Sequence, residues 1–146
     1  MNAHTIQKYA DRQRSELLAV WEQSVLATHH FLSTEDFRII KNLLQDLDLN
    51  EFTIFCLMSG DRVTGFMALY ERKIEMLFLH PEFIGQGYGK KLIRFAFDNF
   101  DANLIDVNEQ NTAALAFYEK MGFEVFARSE KDDLGKNYPL LRMRRK

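Results

Sequence analysis

The sequence predicts a mixed α/β fold: a mostly antiparallel sheet with helices on both faces, in the order β-α-α-β-β-β-α-β-α-β-β. Three observations predict it. Apolar residues recur at helical spacing over 17–47, run as strands over 51–79, and return to helical spacing from Leu92. The turns Ser59-Gly60-Asp61-Arg62 and Glu71-Arg72 are short enough to join three strands as an antiparallel meander. The strand–helix–strand unit from Ile74 to Val107 then requires one parallel pairing with a right-handed crossover. With 146 residues, 47% of them hydrophobic and thirteen Phe, the chain suits a single domain, 1–146, with a substantial core, and excludes disorder.

Thr5 to Tyr9 reads as a short edge strand and Asp11 as a helix N-cap. Leu17, Leu18, Trp21, Val25 and Leu26 give the first helix one apolar face, ending near Thr28-His29-His30-Phe31-Leu32. Ser33 or Thr34 restarts a helix whose stripe, Phe37, Ile40, Leu43, Leu44 and Leu47, carries it to about Leu49. Glu51 to Met58 and Val63 to Tyr70 form the hairpin. Ile74 to Leu79, nearly all apolar, suits a central strand buried on both faces, and Pro81 stops it. A helix from Lys90 to about Phe100 leads to the strand Leu104 to Val107. Gln110 to Met121 is the last helix, with Gly122 suited to a left-handed C-terminal position. Phe123 to Arg128 and Tyr138 to Met143 are the last strands, joined by the charged loop Ser129 to Asn137.

Composition narrows the function. Nineteen basic against twenty-one acidic residues, net −2, give no support for nucleic-acid or anionic-membrane binding. The single cysteine, Cys56, lies in an apolar run and cannot form an intrachain disulfide. No apolar run approaches the roughly 20 residues of a membrane span, and the first residues lack the apolar core of a signal peptide. The expectation is a cytoplasmic protein without a metal.

The chemistry points to residues 85–90. Gly85, Gly87 and Gly89 allow backbone that side chains forbid and leave amides open to a ligand. With a helix N-terminus beside them they make an anion site. Lys90 and Lys91 stand in the first helical turn, where the macrodipole disfavours cations by about 0.3–1 kcal/mol unless an anion binds. The loop is not a Walker A sequence, because Ile84 and Lys91 replace its Gly and Ser/Thr. It is a poor dinucleotide fingerprint, because Lys90 stands where the third glycine belongs, although Asp106 follows at a fitting distance.

The segment Leu77-Phe78-Leu79-His80-Pro81-Glu82-Phe83-Ile84-Gly85-Gln86-Gly87-Tyr88-Gly89 instead resembles the coenzyme A loop of the Gcn5-related N-acetyltransferase (GNAT) family. Asn108 to Phe123 is similar to that family's N-x-x-A-x-x-F-Y-x-x-x-G-F signature. Arg128 to Leu141 and Ser24 to Leu32 resemble its YjaB-type bacterial branch, which is assigned protein lysine acetylation. Ile84 departs from the pattern, standing where Gln or Arg is usual.

The resemblance implies an acetyl-CoA-dependent N-acetyltransferase that moves acetyl directly to a primary amine, on a protein lysine or a small molecule. Pantetheine would run along Leu77, Phe78 and Leu79, with a main-chain N–H near Leu79 polarising the thioester. The pyrophosphate would sit on the amides of Gly85, Gln86, Gly87, Tyr88, Gly89 and Lys90. Asn111 would contact the cofactor arm, or cap its helix, and Phe117 would pack against the arm. Tyr118 matches the general acid, since a phenol near pKa 10 can protonate a leaving thiolate. Glu75 is the first candidate base, as a carboxylate expected to be buried on the central strand, with His29, His30 and Glu109 as alternatives. His29, His30, Phe31 and Tyr138 are expected at the acceptor pocket. An amine acceptor is the expected partner, and a homodimer is left open. Two rivals remain, an acyl-CoA-binding sensor without transfer activity and a nucleotide-binding module.

Overall fold

The computed structural model describes residues 4–146. Seven strands form one sheet: β1 (His4–Lys8), β2 (Thr53–Ser59), β3 (Arg62–Tyr70), β4 (Lys73–Leu79), β5 (Leu104–Asn108), β6 (Phe123–Ser129) and β7 (Leu140–Arg145). Their order is β1-β2-β3-β4-β5-β7-β6, and every neighbouring pair is antiparallel except β4–β5. The helices are α1 (Arg14–Thr28), α2 (Thr34–Asp46), α3 (Tyr88–Phe100) and α4 (Thr112–Lys120).

The sheet separates two cores. Leu17, Val20, Trp21 and Val25 of α1 and Leu44 of α2 pack on Ile54, Cys56, Phe66 and Ala68. On the other face Leu92, Ile93 and Ala96 of α3 and Tyr118 of α4 pack on Leu57, Met67, Leu69, Ile74, Ile105 and Met143. Helices therefore cover both faces, as the sequence predicts.

Several boundaries move for local reasons. The chain enters α1 through a 3₁₀ turn, Asp11–Gln13, whose cap is Ala10 rather than Asp11. The Gln13 side chain turns back to accept from the Ala10 N–H at 2.9 Å. Ser33 caps α2, its hydroxyl accepting from Asp36 N–H at 3.1 Å. That helix stops at Asp46 and a 3₁₀ turn, Leu49–Glu51, follows. Gly87 (φ +89°) caps α3, so the helix starts two residues before Lys90. Strand β7 starts at Leu140, after Pro139, which has no N–H for the ladder.

The parallel contact positions the site. Strands β4 and β5 pair only through Lys73↔Leu104 and Ile74↔Ile105. At that point β4 carries a bulge: Leu69 faces Ile74 and Ala68 faces Met76, leaving Glu75 as the extra residue. A bulge bends its strand and increases its twist. It also switches the alternation, so Ile74, Leu77 and Leu79 face the α3–α4 core while Met76 and Phe78 face the α1–α2 core. Beyond Glu75, β4 leans away from β5. Leu77, Phe78 and Leu79 are consequently half-buried rather than sealed on both faces as expected. The apolar run reads as a core strand but is the wall of an opening.

Candidate active site

A cleft of about 870 Å³ passes through the sheet where β4 and β5 part. Its walls are Leu77, Phe78 and Leu79 on β4, Val107 and Asn108 on β5, and the starts of α3 and α4. The main-chain groups that β4 turns toward β5 after Ile74 have no partner strand. An extended ligand can add to such an edge.

At one end lies the glycine loop. Gly85 and Gly87 have φ of +80° and +89°, which glycine reaches without strain. Among the described residues no oxygen accepts from the N–H groups of Gly85 to Lys90; the ladder begins with Lys91 N–H to the Gly87 carbonyl at 3.1 Å. Six consecutive donors at a helix N-terminus form an anion cradle. Lys90 and Arg94 line the cleft beside them. Lys91 does not join them, because its Nζ donates to the His4 carbonyl at 2.5 Å. Gly89 serves packing: a Cβ there would lie 3.2 Å from Phe117 Cζ.

The expected site residues divide clearly. Glu75, Leu77, Phe78, Leu79, Gly85, Gly87, Gly89, Lys90, Asn111, Phe117, Tyr118 and His29 all line the cleft. The side chains of Gln86 and Tyr88 turn elsewhere. Gln86 Nε2 donates to the Glu82 carbonyl at 2.8 Å, and the Tyr88 ring packs on His4 and Phe83. Their contribution to an anion is the main chain alone. Asn111 caps α4, accepting from Ala114 N–H at 3.2 Å, and also lines the cleft.

Tyr118 stands in the α4 wall. No protein group among the described residues hydrogen-bonds its hydroxyl, and that oxygen is not among the fully buried unpartnered atoms. Burial pushes the phenol up to about 12, so it keeps its proton at neutral pH. Glu75 differs from expectation. The bulge turns it out to solvent, and its Oε1 lies 3.6 Å from Lys73 Nζ. Glu109 is engaged by Arg128 at 2.5 Å, a hydrogen bond that holds its carboxyl below the usual range.

On the α1–α2 side, His29 lines the cleft while His30 is exposed. Phe31 packs 5.3 Å from the His29 ring and 6.2 Å from Tyr138. Neither Phe31 nor Tyr138 lines the cleft itself. The Tyr138 hydroxyl donates to Asp36 Oδ2 at 2.5 Å and accepts from Ser33 N–H at 3.2 Å. These two residues clip the β6–β7 loop to the start of α2 as an outer rim.

The sequence does not point to five polar groups at the cleft: Ser24, Thr28, Arg94, Lys120 and Arg145. Thr28 directly precedes the His29–His30 pair, so its place beside the site follows from adjacency. Arg145 lies at the far end of the chain, stacked 3.7 Å over Phe97, and nothing local marks it. Among the described residues no cluster of three or more His, Cys, Asp or Glu could hold a metal, and no helix is long and apolar enough to cross a membrane.

Residues 50–125 match the family profile of the acetyltransferase (GNAT) domain. The chain is 41% identical over 139 residues to a peptidyl-lysine N-acetyltransferase, YjaB, of Salmonella typhimurium, covering 94% of this chain and 95% of that one. The solution structure of apo-form YjaB from Escherichia coli superposes with TM-score 0.90 at 38% identity, covering 97% of both chains. A PaiA N-acetyltransferase of Thermoplasma acidophilum, solved in complex with coenzyme A, shares the fold at TM-score 0.74 and 20% identity, covering 99% of both chains.

Proposed function

The chain belongs to the GNAT acetyltransferase family, and from that premise we propose that it transfers acetyl from acetyl-CoA to the side-chain amine of a protein lysine. One observation carries the reading: the opening at the Glu75 bulge runs from the unpaired amides of Gly85–Lys90 to Tyr118. The chemistry of these donors fits coenzyme A. Six amides, Lys90 and Arg94 suit a pyrophosphate, and the unpaired β4 edge at Leu77–Leu79 suits the amides of a pantetheine arm. The relative that shares 41% of the sequence is named for lysine, and this supports the acceptor.

When bound, acetyl-CoA supplies an activated acyl carbonyl with a thiol as leaving group. The main chain near Leu79 holds that carbonyl and offers it a donor. Tyr118 gives its proton to the sulfur. In water a phenol near 10 lies only about 2 kcal/mol above a thiol near 8.5, and burial holds the Tyr118 phenol protonated, up to about 12, until the sulfur takes its proton. The burial that raises the phenol also raises the basicity of a thiolate beside it, so the proton moves as the C–S bond breaks. Glu75, exposed at the mouth, draws an ammonium toward the cleft rather than stripping its proton.

Replacing Tyr118 with Phe tests the reading. With a peptide carrying one internal lysine, kcat should fall by about 10²–10⁴ while acetyl-CoA affinity holds. Thioesters of more acidic thiols should lose less. A normal kcat would remove Tyr118 as the acid. Faster transfer to small amines than to lysine peptides would overturn the acceptor, and no thiol release with any amine would leave an acyl-CoA-binding module. Cytoplasmic residence, which keeps Cys56 a thiol, belongs to the same proposal.

A further inference from the structure

Resting on that reading, we propose that His29 is the general base of the transfer, presenting an unprotonated Nε2 to the cleft because Thr28 fixes its tautomer. The geometry decides the tautomer. Thr28 Oγ1 lies 2.8 Å from the Ser24 carbonyl oxygen and 2.7 Å from His29 Nδ1. A hydroxyl has one hydrogen, and a carbonyl can only accept. If Nδ1 were bare, the hydroxyl would donate to it and face the Ser24 carbonyl lone pair to lone pair at 2.8 Å. Both contacts are hydrogen bonds only when Thr28 donates to Ser24 and His29 Nδ1–H donates to Thr28. In the neutral ring the lone pair then belongs to Nε2, for which no protein group among the described residues is a partner.

The surroundings keep the ring neutral. Burial lowers its proton affinity first, and the charge of neighbouring His30 lowers it further. The other charged groups on the neighbouring elements are paired with one another. Lys73 and Glu75 lie on β4, and Asp106 of β5 is tied to Lys73 and Arg142. Asp36 and Lys136 pair beyond Phe31 and Tyr138. Arg62 pairs with Glu82 in the turn after β4, near His80 and Glu16. Of these charges, that of His30 is the one that lowers the proton affinity of the ring.

The proton count closes. A primary ammonium loses two protons in becoming an amide. The first goes to water, because an amine near pKa 10.4 holds it too tightly for a ring below 6.5 to take. The second becomes acidic as the C–N bond forms, and His29 Nε2 accepts it. Tyr118 gives its own proton to sulfur as the C–S bond breaks, and the imidazolium proton restores the phenol through water. The net products are amide, thiol and one proton in solution. Thr28 is a positioning residue in this scheme.

Two measurements test it on the whole chain. Nitrogen NMR of the imidazole, without and with coenzyme A, should show protonated Nδ1 and bare Nε2 at neutral pH. Thr28→Val should scramble the tautomers, and Thr28→Ser should restore them. The second measurement follows kcat/KM for a single-lysine peptide between pH 5 and 8. The wild type should fall with two-proton steepness below the His29 pKa and one-proton steepness above it. His29→Gln should be slower by about 10²-fold, with one-proton steepness throughout and unchanged acetyl-CoA affinity. An Nε2–H tautomer, or an active wild type matched by His29→Gln in rate and pH profile, overturns the assignment alone. A wild type that acetylates no peptide removes the reading beneath it.

Discussion

The two walls of the cleft are made differently. The wall at Gly85–Lys90 offers main-chain donors set by two left-handed glycines and one helix start. The wall at Ser24, Thr28 and His29, with an outer rim of Phe31, Ser33 and Tyr138 behind it, offers side chains. Those are held by bonds such as Tyr138 to Asp36, 102 residues apart in sequence. A main-chain wall is indifferent to most substitutions and binds whatever shares one anion. A side-chain wall is tunable and can be remade for each acceptor. The difference teaches why one cofactor loop can serve enzymes with many amines, and it predicts that damage to each wall separates in kinetics.

The largest expected effect is on the main-chain wall. Gly87→Val forces a β-branched residue to φ +89°, at a cost of about 1–3 kcal/mol. A Cβ at Gly87 meets no protein atom within 4 Å, and Gly87 lines the cleft, so the added side chain is expected to compete with the ligand for open space there. Acetyl-CoA should bind at least tenfold more weakly by calorimetry, with the fold retained. Gly89→Ala makes the contrast, since its Cβ presses on Phe117 rather than on the ligand. It should lower Tm more than it weakens binding. Equal affinity for Gly87→Val and wild type would erase the distinction between the walls.

A smaller effect is expected on the rim. Tyr138→Phe removes the donor to Asp36 and the acceptor for Ser33 N–H. One such bond contributes about 1 kcal/mol, so KM for a lysine peptide should rise roughly fivefold with acetyl-CoA affinity unchanged. The Asp36 carboxyl should titrate higher in the variant, because the Tyr138 hydroxyl is the chief cause of its lowered pKa. A change in cofactor affinity instead would show that the rim and the loop act as one wall.

The same contrast explains what was legible in the sequence. Gly85, Gly87, Gly89, Asn111 and Tyr118 lie in two local motifs, and the element order follows from periodicity and turns. The Glu75 bulge was not legible. A run such as Ile74–Leu79 looks the same whether a neighbour strand stays or leaves, and only the register with β3 shows the extra residue. Glu75 was accordingly expected to be buried and lies exposed at the mouth of the cleft. His29 and His30 were noticed as a pair, but nothing in adjacent letters says which one lines the cleft or that Thr28 holds it. Lys91 looked equivalent to Lys90 until the β1 carbonyl at His4 claimed it.

The smallest expected effect is on stability, and it isolates His29. Its pKa is lowered in the folded protein, by burial first and by His30 second, from an ordinary value of 6.5. Between the folded pKa and 6.5 the unfolded chain binds more protons than the folded one. Stability therefore rises with pH through that window, is complete above 6.5, and is lost as pH falls toward the folded pKa. Asp36 and Glu109, whose pKa values are also lowered, act only in the more acidic range where carboxylates titrate. Melting the wild type and His29→Gln from pH 7.5 down to 5.5 should show the wild type losing Tm more steeply, by a few degrees at most. The slopes are the quantity to compare, since the substitution itself shifts Tm by a constant. Parallel slopes would mean that His29 takes up a proton as easily when folded as when unfolded. A ring of that kind would be partly charged at pH 7, and the acceptor wall would lose the neutral nitrogen that sets it apart from the main-chain wall opposite.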